Sequence, residues 1–235
     1  MESMISSREE VEEILKGLGE QLSEPVAFLV IGGAAMLEYG LKDVTKDIDL
    51  VCRDATGKAR LLEAAKSLGF EVFGPEKRHA RLGLDRVAIK SGHTLDIFAG
   101  RISYDFGLSE SMWQRGKKIR LLGKAEIRYA TVEDIFCLKL IANRPRDIED
   151  CVSLASAKMD FEAIYSEILA QYTKAGTVEK KIWITYLEEG IGKLEEDYRL
   201  QVTIADRVSE LANEYRERLY KELSEHSLPR SLRKS

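Results

Sequence analysis

A chain of 235 residues, 44% hydrophobic and 32% charged, is long enough to bury a sizeable core and has the composition of an ordinary globular protein with a heavily charged surface. Its formal net charge of -4 excludes a general nucleic-acid-coating role, which needs a strong excess of positive charge. The opening stretch MESMISSREEVEEILKGL is acidic and amphipathic, not a basic flank before an apolar run, and no segment approaches the roughly 18 apolar residues of a membrane span. The expectation is therefore a cytoplasmic protein with no membrane partner.

In chain order, residues 7 to 22 read as a helix. Ser6 or Ser7 caps it, Glu9 and Glu10 suit its positive end, and Val11, Ile14, Leu15 and Leu18 form an apolar stripe. Residues 26 to 31 form a buried strand, 33 to 39 a short helix closed by Gly40, and 46 to 52 a strand with alternating faces. On that strand Ile48, Leu50 and Cys52 share one side, and Asp47, Asp49 and Val51 the other. A helix over 57 to 68 ends at Gly69. Strands near 70 to 73, 80 to 90 and 94 to 99 follow, then a short helix near 108 to 115 and a strand pair within 118 to 129.

From Thr131 the period becomes helical. Thr131 and Asp134 stand at capping-box spacing ahead of a helix over 132 to 142, and Pro145 interrupts. Helices follow at about 147 to 157, 160 to 173, 177 to 198 and 201 to 224. In the last, Val202, Ala205, Val208, Ala212, Tyr215, Leu219 and Leu223 recur every three or four residues, a stripe that serves a core or a homo-oligomer equally well. The predicted fold is α+β: a mixed sheet with flanking helices over 1–130, then an all-α domain over 131–235.

The three cysteines, Cys52, Cys137 and Cys151, are odd in number, widely spaced and set in apolar contexts, so they read as buried reduced thiols. His79, His93 and His226 show no ligand spacing with them, which argues against zinc. Trp113 and Trp183 read as core or interface residues. Lys77, Arg78, His79 and Arg81 form a basic cluster that reads as a solvated face, with an acceptor phosphate as the alternative.

Residues 32 to 49, GGAAMLEYGLKDVTKDID, carry the chemistry. Gly32 and Gly33 stand at a strand-to-helix turn, where backbone N–H groups approach a phosphate unhindered and the helix N-terminus favours negative charge. Asp47 and Asp49 point to the same side of their strand and repel each other unless a cation sits between them. Mg²⁺ meets that need, being held by one or two carboxylates plus substrate phosphates. In HTLDIFAG, Asp96 faces away from Leu95 and Ile97. If that strand lies beside 46 to 52, Asp96 completes a three-carboxylate cluster suited to two metals and to deprotonating an attacking hydroxyl.

Gly32-Gly33, then Asp47-Ile48-Asp49, then Asp96, resembles the DNA polymerase β-like nucleotidyltransferase superfamily. VIGGAAMLEYGLKDVTKDIDLVC resembles within it the prokaryotic group that includes abortive-infection type nucleotidyltransferase toxins, with a GGxA turn and Thr45 and Lys46 ahead of the paired acids. CLKLIANRPRDIEDCVSL is similar to that group's Lys…Arg-Asp-x-x-Asp helix pair, and matches Lys139, Arg146, Asp147 and Asp150 to positions that face or brace the nucleotide cleft. The likeness covers roughly residues 26 to 155. Gly33 replaces the Ser of many superfamily members.

The resemblance implies transfer of an NMP from an NTP to a hydroxyl of RNA, protein or a small molecule, with release of pyrophosphate. It implies Asp47, Asp49 and Asp96 as catalytic and Mg²⁺-holding residues, and Gly32, Gly33, Thr45, Lys46 and Lys139 about the nucleotide. The rival expectation is a non-catalytic nucleotidyltransferase-like protein that binds a partner protein in a toxin–antitoxin type system. Lys139 has a helix-surface lysine as its alternative, and Arg146 an ion pair with Asp150 on its own helix; Asp147, Glu149 and Asp150 also suit a helix start, which is the reading taken for Glu149. The ending LPRSLRKS reads as a solvated tail.

Overall fold

The computed structural model describes residues 4–74 and 86–227. The basic cluster Lys77, Arg78, His79 and Arg81, the first part of the strand expected over 80 to 90, and the LPRSLRKS tail lie outside the described residues.

The first helix, α1 (Arg8–Gln21), is capped by Ser7, whose Oγ accepts from the Glu10 amide at 3.1 Å, and buries Val11, Leu15 and Leu18. The apolar run VAFLVI becomes β1 (Val26–Ile31), α2 (Gly32–Tyr39) follows without a linker, and β2 (Asp47–Cys52) returns. Next come α3 (Ala55–Ser67), capped by Asp54, then β3 (Glu71–Phe73), β4 (Val87–Lys90) and β5 (His93–Ala99). A hairpin that the sequence did not announce, β6 (Arg101–Ser103) and β7 (Phe106–Gly107), turns through Tyr104 and Asp105, both left-handed at φ 49 and 72°. The short α4 (Glu110–Arg115) leads to β8 (Lys117–Leu122) and β9 (Ala125–Tyr129).

These strands form one mixed sheet in the order β3-β4-β5-β2-β1-β9-β8, with the β6–β7 hairpin hanging from β5. β1 lies antiparallel to β2 and parallel to β9, while β2 lies parallel to β5. Leu61, Ala64 and Ala65 of α3 are buried, and α3 packs against β1, β2, β3, β4 and β5. The sheet residues buried on that side include Ile48, Ala88 and Leu95, paired across neighbouring strands.

After Tyr129 the described chain is helical: α5 (Val132–Ala142), α6 (Pro145–Ala155), α7 (Phe161–Lys174), a 3₁₀ turn at Glu179–Lys181, α8 (Trp183–Tyr198) and α9 (Ala205–Ser227). α5 buries Ile135, Phe136, Cys137, Leu138, Leu140 and Ile141, residues on every side of the helix, as a central helix must. Its cap is the expected one: Thr131 Oγ accepts from the Asp134 amide at 3.3 Å. Pro145 opens α6 instead of merely breaking the chain, because a first-turn proline gives up an N–H that has no helical partner. Trp183 is buried, edge-on to Phe106 with ring centres 4.9 Å apart, so the hairpin is tied to α8. Trp113 is buried too, with the Arg128 guanidinium 4.8 Å from its ring centre.

One continuous hydrophobic core runs through both the strand-bearing and the helical parts. A buried ionic junction reinforces it. Arg115 of α4 reaches Asp134 of α5 at 2.6 Å and Glu167 of α7 at 2.8 Å, and Ser111 donates to Glu167 at 2.6 Å. Val202, Val208, Ala212 and Tyr215 of the last apolar stripe are buried, whereas Leu223 is exposed. All three cysteines are buried and free.

Candidate active site

The site lies where β1 ends and β2 begins. β1 is apolar because its neighbours cover both faces, and the turn after it has room for no side chain. Gly32 sits at φ +62°, and a Cβ built on it would stand 2.1 Å from Asp49 Oδ2. A Cβ on Gly33 would stand 2.3 Å from Thr45 Oγ1. So the two glycines let the start of α2 press directly against the acid-bearing strand. No side chain caps the start of α2.

Thr45 is buried and doubly fixed. Its backbone exchanges hydrogen bonds with Ile5, N to O at 2.9 Å and O from N at 2.8 Å, and its hydroxyl donates to the Asp47 carbonyl at 3.1 Å. The Ile5 bridge was not legible in the sequence, since a single residue pair carries no periodicity. Lys46 is half-buried next to Asp47.

β5 does lie beside β2, parallel and in a register that pairs Asp49 with Asp96 and Asp47 with Thr94. Paired residues of neighbouring strands point to the same face, so Asp47, Asp49 and Asp96 share one side of the sheet. Asp96 is buried, and Asp47 and Asp49 are half-buried. Burial first, and the Asp47 charge second, push the Asp49 carboxyl up to about 7; Lys139 and Arg144 pull the other way. Among the described residues no group of three or more His, Cys, Asp or Glu side chains closes around a metal position. The donor set is nonetheless hard oxygen with crowded negative charge. It suits a cation that arrives with phosphate oxygens to complete its shell.

Behind the acids stands a cationic network. Lys139 on α5 is held between Asp147 at 3.2 Å and Asp150 at 2.6 Å. Lys42, from the loop between α2 and β2, shares Asp150 at 2.6 Å. Arg144, at the start of α6, holds Asp147 through Nε at 2.6 Å while its side chain stays 63% exposed. Burial opposes the Lys139 charge, yet Asp147 and Asp150 raise its pKa. Burial likewise works against the Asp147 charge, but Arg144 and Lys139 bring its pKa below the usual range. The Asp147 hydrogen bond leads the causes that raise Arg144, and the fields of Asp49 and Asp47 add to it.

The structure thus brings together Gly32, Gly33, Thr45, Lys46, Asp47, Asp49 and Asp96, with Lys139 acting on Asp49 through its field. The ion pair weighed for Arg146 and Asp150 does not form among the described contacts: Asp150 faces Lys42 and Lys139, and Arg146 is exposed. Lys42 and Arg144 were missed. The signal for Arg144 was available, because a residue just before Pro145 at a helix start must lie outside the helix with its side chain free to turn back.

A glycine turn opening a helix, pressed against a mixed sheet that carries carboxylates on neighbouring parallel strands, defines a nucleotidyltransferase-type domain. The chain belongs to the family described as "Nucleotidyltransferase of unknown function (DUF6036)", whose model matches residues 5–187. No curated protein matches the chain. Among solved structures it is similar to ANT(2")-Ia in complex with adenylyl-2"-tobramycin, at TM-score 0.46 and 14% identity, over 71% of this chain and 97% of that one. It is also similar to an antigenic nucleotidyltransferase-like protein from Paracoccidioides brasiliensis, at TM-score 0.46 and 15% identity, over 88% of this chain and 95% of that one.

Proposed function

We propose that the protein is an active, Mg²⁺-dependent nucleotidyltransferase that moves an NMP from an NTP to an acceptor hydroxyl. The observation that carries the proposal is the contact between the glycine turn and Asp49: a Cβ on Gly32 would stand 2.1 Å from Asp49 Oδ2, so phosphates on the turn come directly against the acids.

In this reading the triphosphate rests on the backbone N–H groups of Gly32 and Gly33 and on the uncapped start of α2, whose dipole favours the charge. Thr45 fixes the turn against the Asp47 loop, and Lys46 flanks it. Arg144, exposed and anchored by Asp147, offers its guanidinium to the phosphates, while buried Lys139 supports the site through its field. Asp47 and Asp49 would hold Mg²⁺, and Asp96 would complete a second metal position. Bound there, the cation supplies charge neutralisation at the α-phosphate and on the leaving oxygens.

The acceptor oxygen attacks the α-phosphorus and forms a P–O bond as the bond to the bridging oxygen of the β-phosphate breaks. Pyrophosphate leaves with that electron pair. The hydroxyl proton passes to Asp96. The atoms balance as NTP plus acceptor–OH giving acceptor–O–NMP plus pyrophosphate.

The test is transfer of label from each NTP, labelled at the α-phosphate, to host-cell extract with Mg²⁺, for the wild type beside Asp47→Asn. Label with the wild type alone, released as acceptor-bound NMP, is expected. No label above the variant despite metal-dependent NTP binding would overturn the catalytic reading in favour of a partner-binding protein.

A further inference from the structure

A lysine withdrawn from water normally has a carboxylate beside it, because burial strips the charge of its hydration. Lys139 follows that rule, with Asp147 at 3.2 Å and Asp150 at 2.6 Å. Lys181, on the 3₁₀ turn before α8, does not. It is only 7% exposed, yet among the described residues it makes no ion pair and no side-chain hydrogen bond. Its ammonium lies 4.2 Å from the centre of the Tyr172 ring. A ring face carries no net negative charge, so it steadies the ammonium without neutralising it. Burial first, and the Arg218 charge second, lower the Lys181 pKa, and Glu214 opposes them only in part. Glu214 is itself held by Arg218 at 2.6 Å.

Lys181 lines a cleft of about 530 Å³ between residues 176–181 and α9. Arg218 and Lys221 line it from the α9 side, three residues apart and so on one side of that helix. At Gly176 an added Cβ would meet nothing within 4 Å, so the turn leaves the cleft open there. Glu179 and Glu222 line the cleft too, but the charges that act on Lys181 are those of Arg218 and Glu214.

We infer that this cleft is a second ligand site, sharing no residue with the candidate active site, and that it takes a phosphate group of a small molecule between Lys181, Arg218 and Lys221. The phosphate supplies the counter-charge that Lys181 lacks within the chain. Three cations from two elements suit a phosphate better than a carboxylate. A tetrahedral phosphate presents oxygens in several directions, whereas a carboxylate offers two oxygens in one plane. The volume fits a molecule of metabolite size. A nucleic-acid strand fits less well, since Glu179 and Glu222 interrupt the positive charge that its backbone would follow.

The experiment titrates the full chain calorimetrically with inorganic phosphate, without Mg²⁺ and at constant ionic strength. Lys181→Met keeps the length of the side chain and removes its charge. It is expected to weaken phosphate binding about tenfold. The part of the binding that it removes belongs to the cleft, whatever phosphate rests on the glycine turn. Without phosphate, Lys181→Met should melt no lower than the wild type, since it removes a buried charge that has no counter-ion. Phosphate should raise the Tm of the wild type more than that of Lys181→Met. Arg218→Gln, at a side chain 56% exposed, should weaken binding as well, whereas Lys16→Met on α1 should leave it unchanged. Equal phosphate binding by Lys181→Met and the wild type overturns the site. So does a Lys181→Met chain that melts well below the wild type without phosphate, because the fold then already balances the charge. Binding of a single-stranded RNA that depends on Lys181, with no response to inorganic phosphate, overturns the small-molecule assignment.

Discussion

Two clusters of carboxylates lie close together in this molecule and have opposite electrostatic fates. Asp147 and Asp150 are each shared between two cations, among Lys42, Lys139 and Arg144, and the Asp147 carboxyl is held below its ordinary pKa. Asp49 faces Asp96 and Asp47 on its own side of the sheet, and burial with the Asp47 charge pushes it up to about 7. Both clusters are withdrawn from water, so burial alone does not distinguish them. The difference is compensation within the chain. The first cluster is balanced and reads as architecture; at Asp49 burial and the like charge of Asp47 outweigh the fields of Lys139 and Arg144, which agrees with the metal position proposed there.

Removing charge from each cluster should therefore do opposite things. Asp47→Asn and Asp49→Asn should each lower nucleotide transfer by at least about 10²-fold, since a ligand and developing-charge stabiliser is lost. Asp49→Asn should at the same time raise the stability of the metal-free protein at pH 8, by an amount of the order of 2 kcal/mol after allowing for partial exposure. Paired activity assays and urea unfolding curves read both numbers. A destabilised Asp49→Asn would place Asp49 with the balanced cluster and erase the contrast.

In the balanced cluster, Asp147→Ala strips Lys139 and Arg144 of a shared partner. It should cost about 1–3 kcal/mol, because buried Lys139 is left with Asp150 alone and Arg144 loses its anchor. The sign with pH follows from the lowered carboxyl. Its stabilisation is present above the unfolded carboxylate range near 3.9 and is lost as pH falls through the lower folded value. Acid unfolding of the wild type should thus steepen below about pH 4, and Asp147→Ala should lack that component.

A smaller effect is expected at the glycine turn beside Asp49, where the phosphates are proposed to rest. Gly32→Ala forces a Cβ at φ +62° into the Asp49 carboxylate. The left-handed backbone alone costs roughly 1–2 kcal/mol. Displacing Asp49 should cut transfer well beyond what that stability loss explains, a split visible by comparing unfolding midpoints with kcat/KM.

Much of this was legible before any coordinates. The glycine turn is a local signal, the alternation of KDIDLVC and the facing of Asp96 away from Leu95 and Ile97 are signals with a period of two, and the structure brings Asp47, Asp49 and Asp96 to one face beside the turn. The order of strands was less so, because the β2–β5 pairing joins residues about fifty positions apart and no local pattern encodes it. The hairpin at Arg101–Gly107 escaped because its strands are very short and its turn uses Tyr104 and Asp105 in the left-handed region where glycine or asparagine is the usual cue. Lys42 and Ile5 escaped for a similar reason. Lys42 meets Asp150 and Ile5 pairs its backbone with Thr45, and such single-residue pairings leave no trace in the spacing of residues.

The finest discrimination concerns two arginines on either side of Pro145. Arg146, which the family pattern matches to the cleft, is exposed on α6, so Arg146→Ala should change stability by no more than about 0.5 kcal/mol. Arg144 is exposed too, but it is anchored by Asp147 and lies within the field of Asp47 and Asp49. Its loss should raise KM for the NTP by about tenfold and cost about 1 kcal/mol of stability, since it removes one charge-assisted contact to phosphate and one to buried Asp147. Arg144→Lys should recover only part of it, because a lysine ammonium cannot hold Asp147 and a phosphate in the same planar fork. A larger KM effect at Arg146 than at Arg144 would mean that α6 presents its other arginine to the nucleotide, and that Arg144 belongs wholly to the balanced cluster.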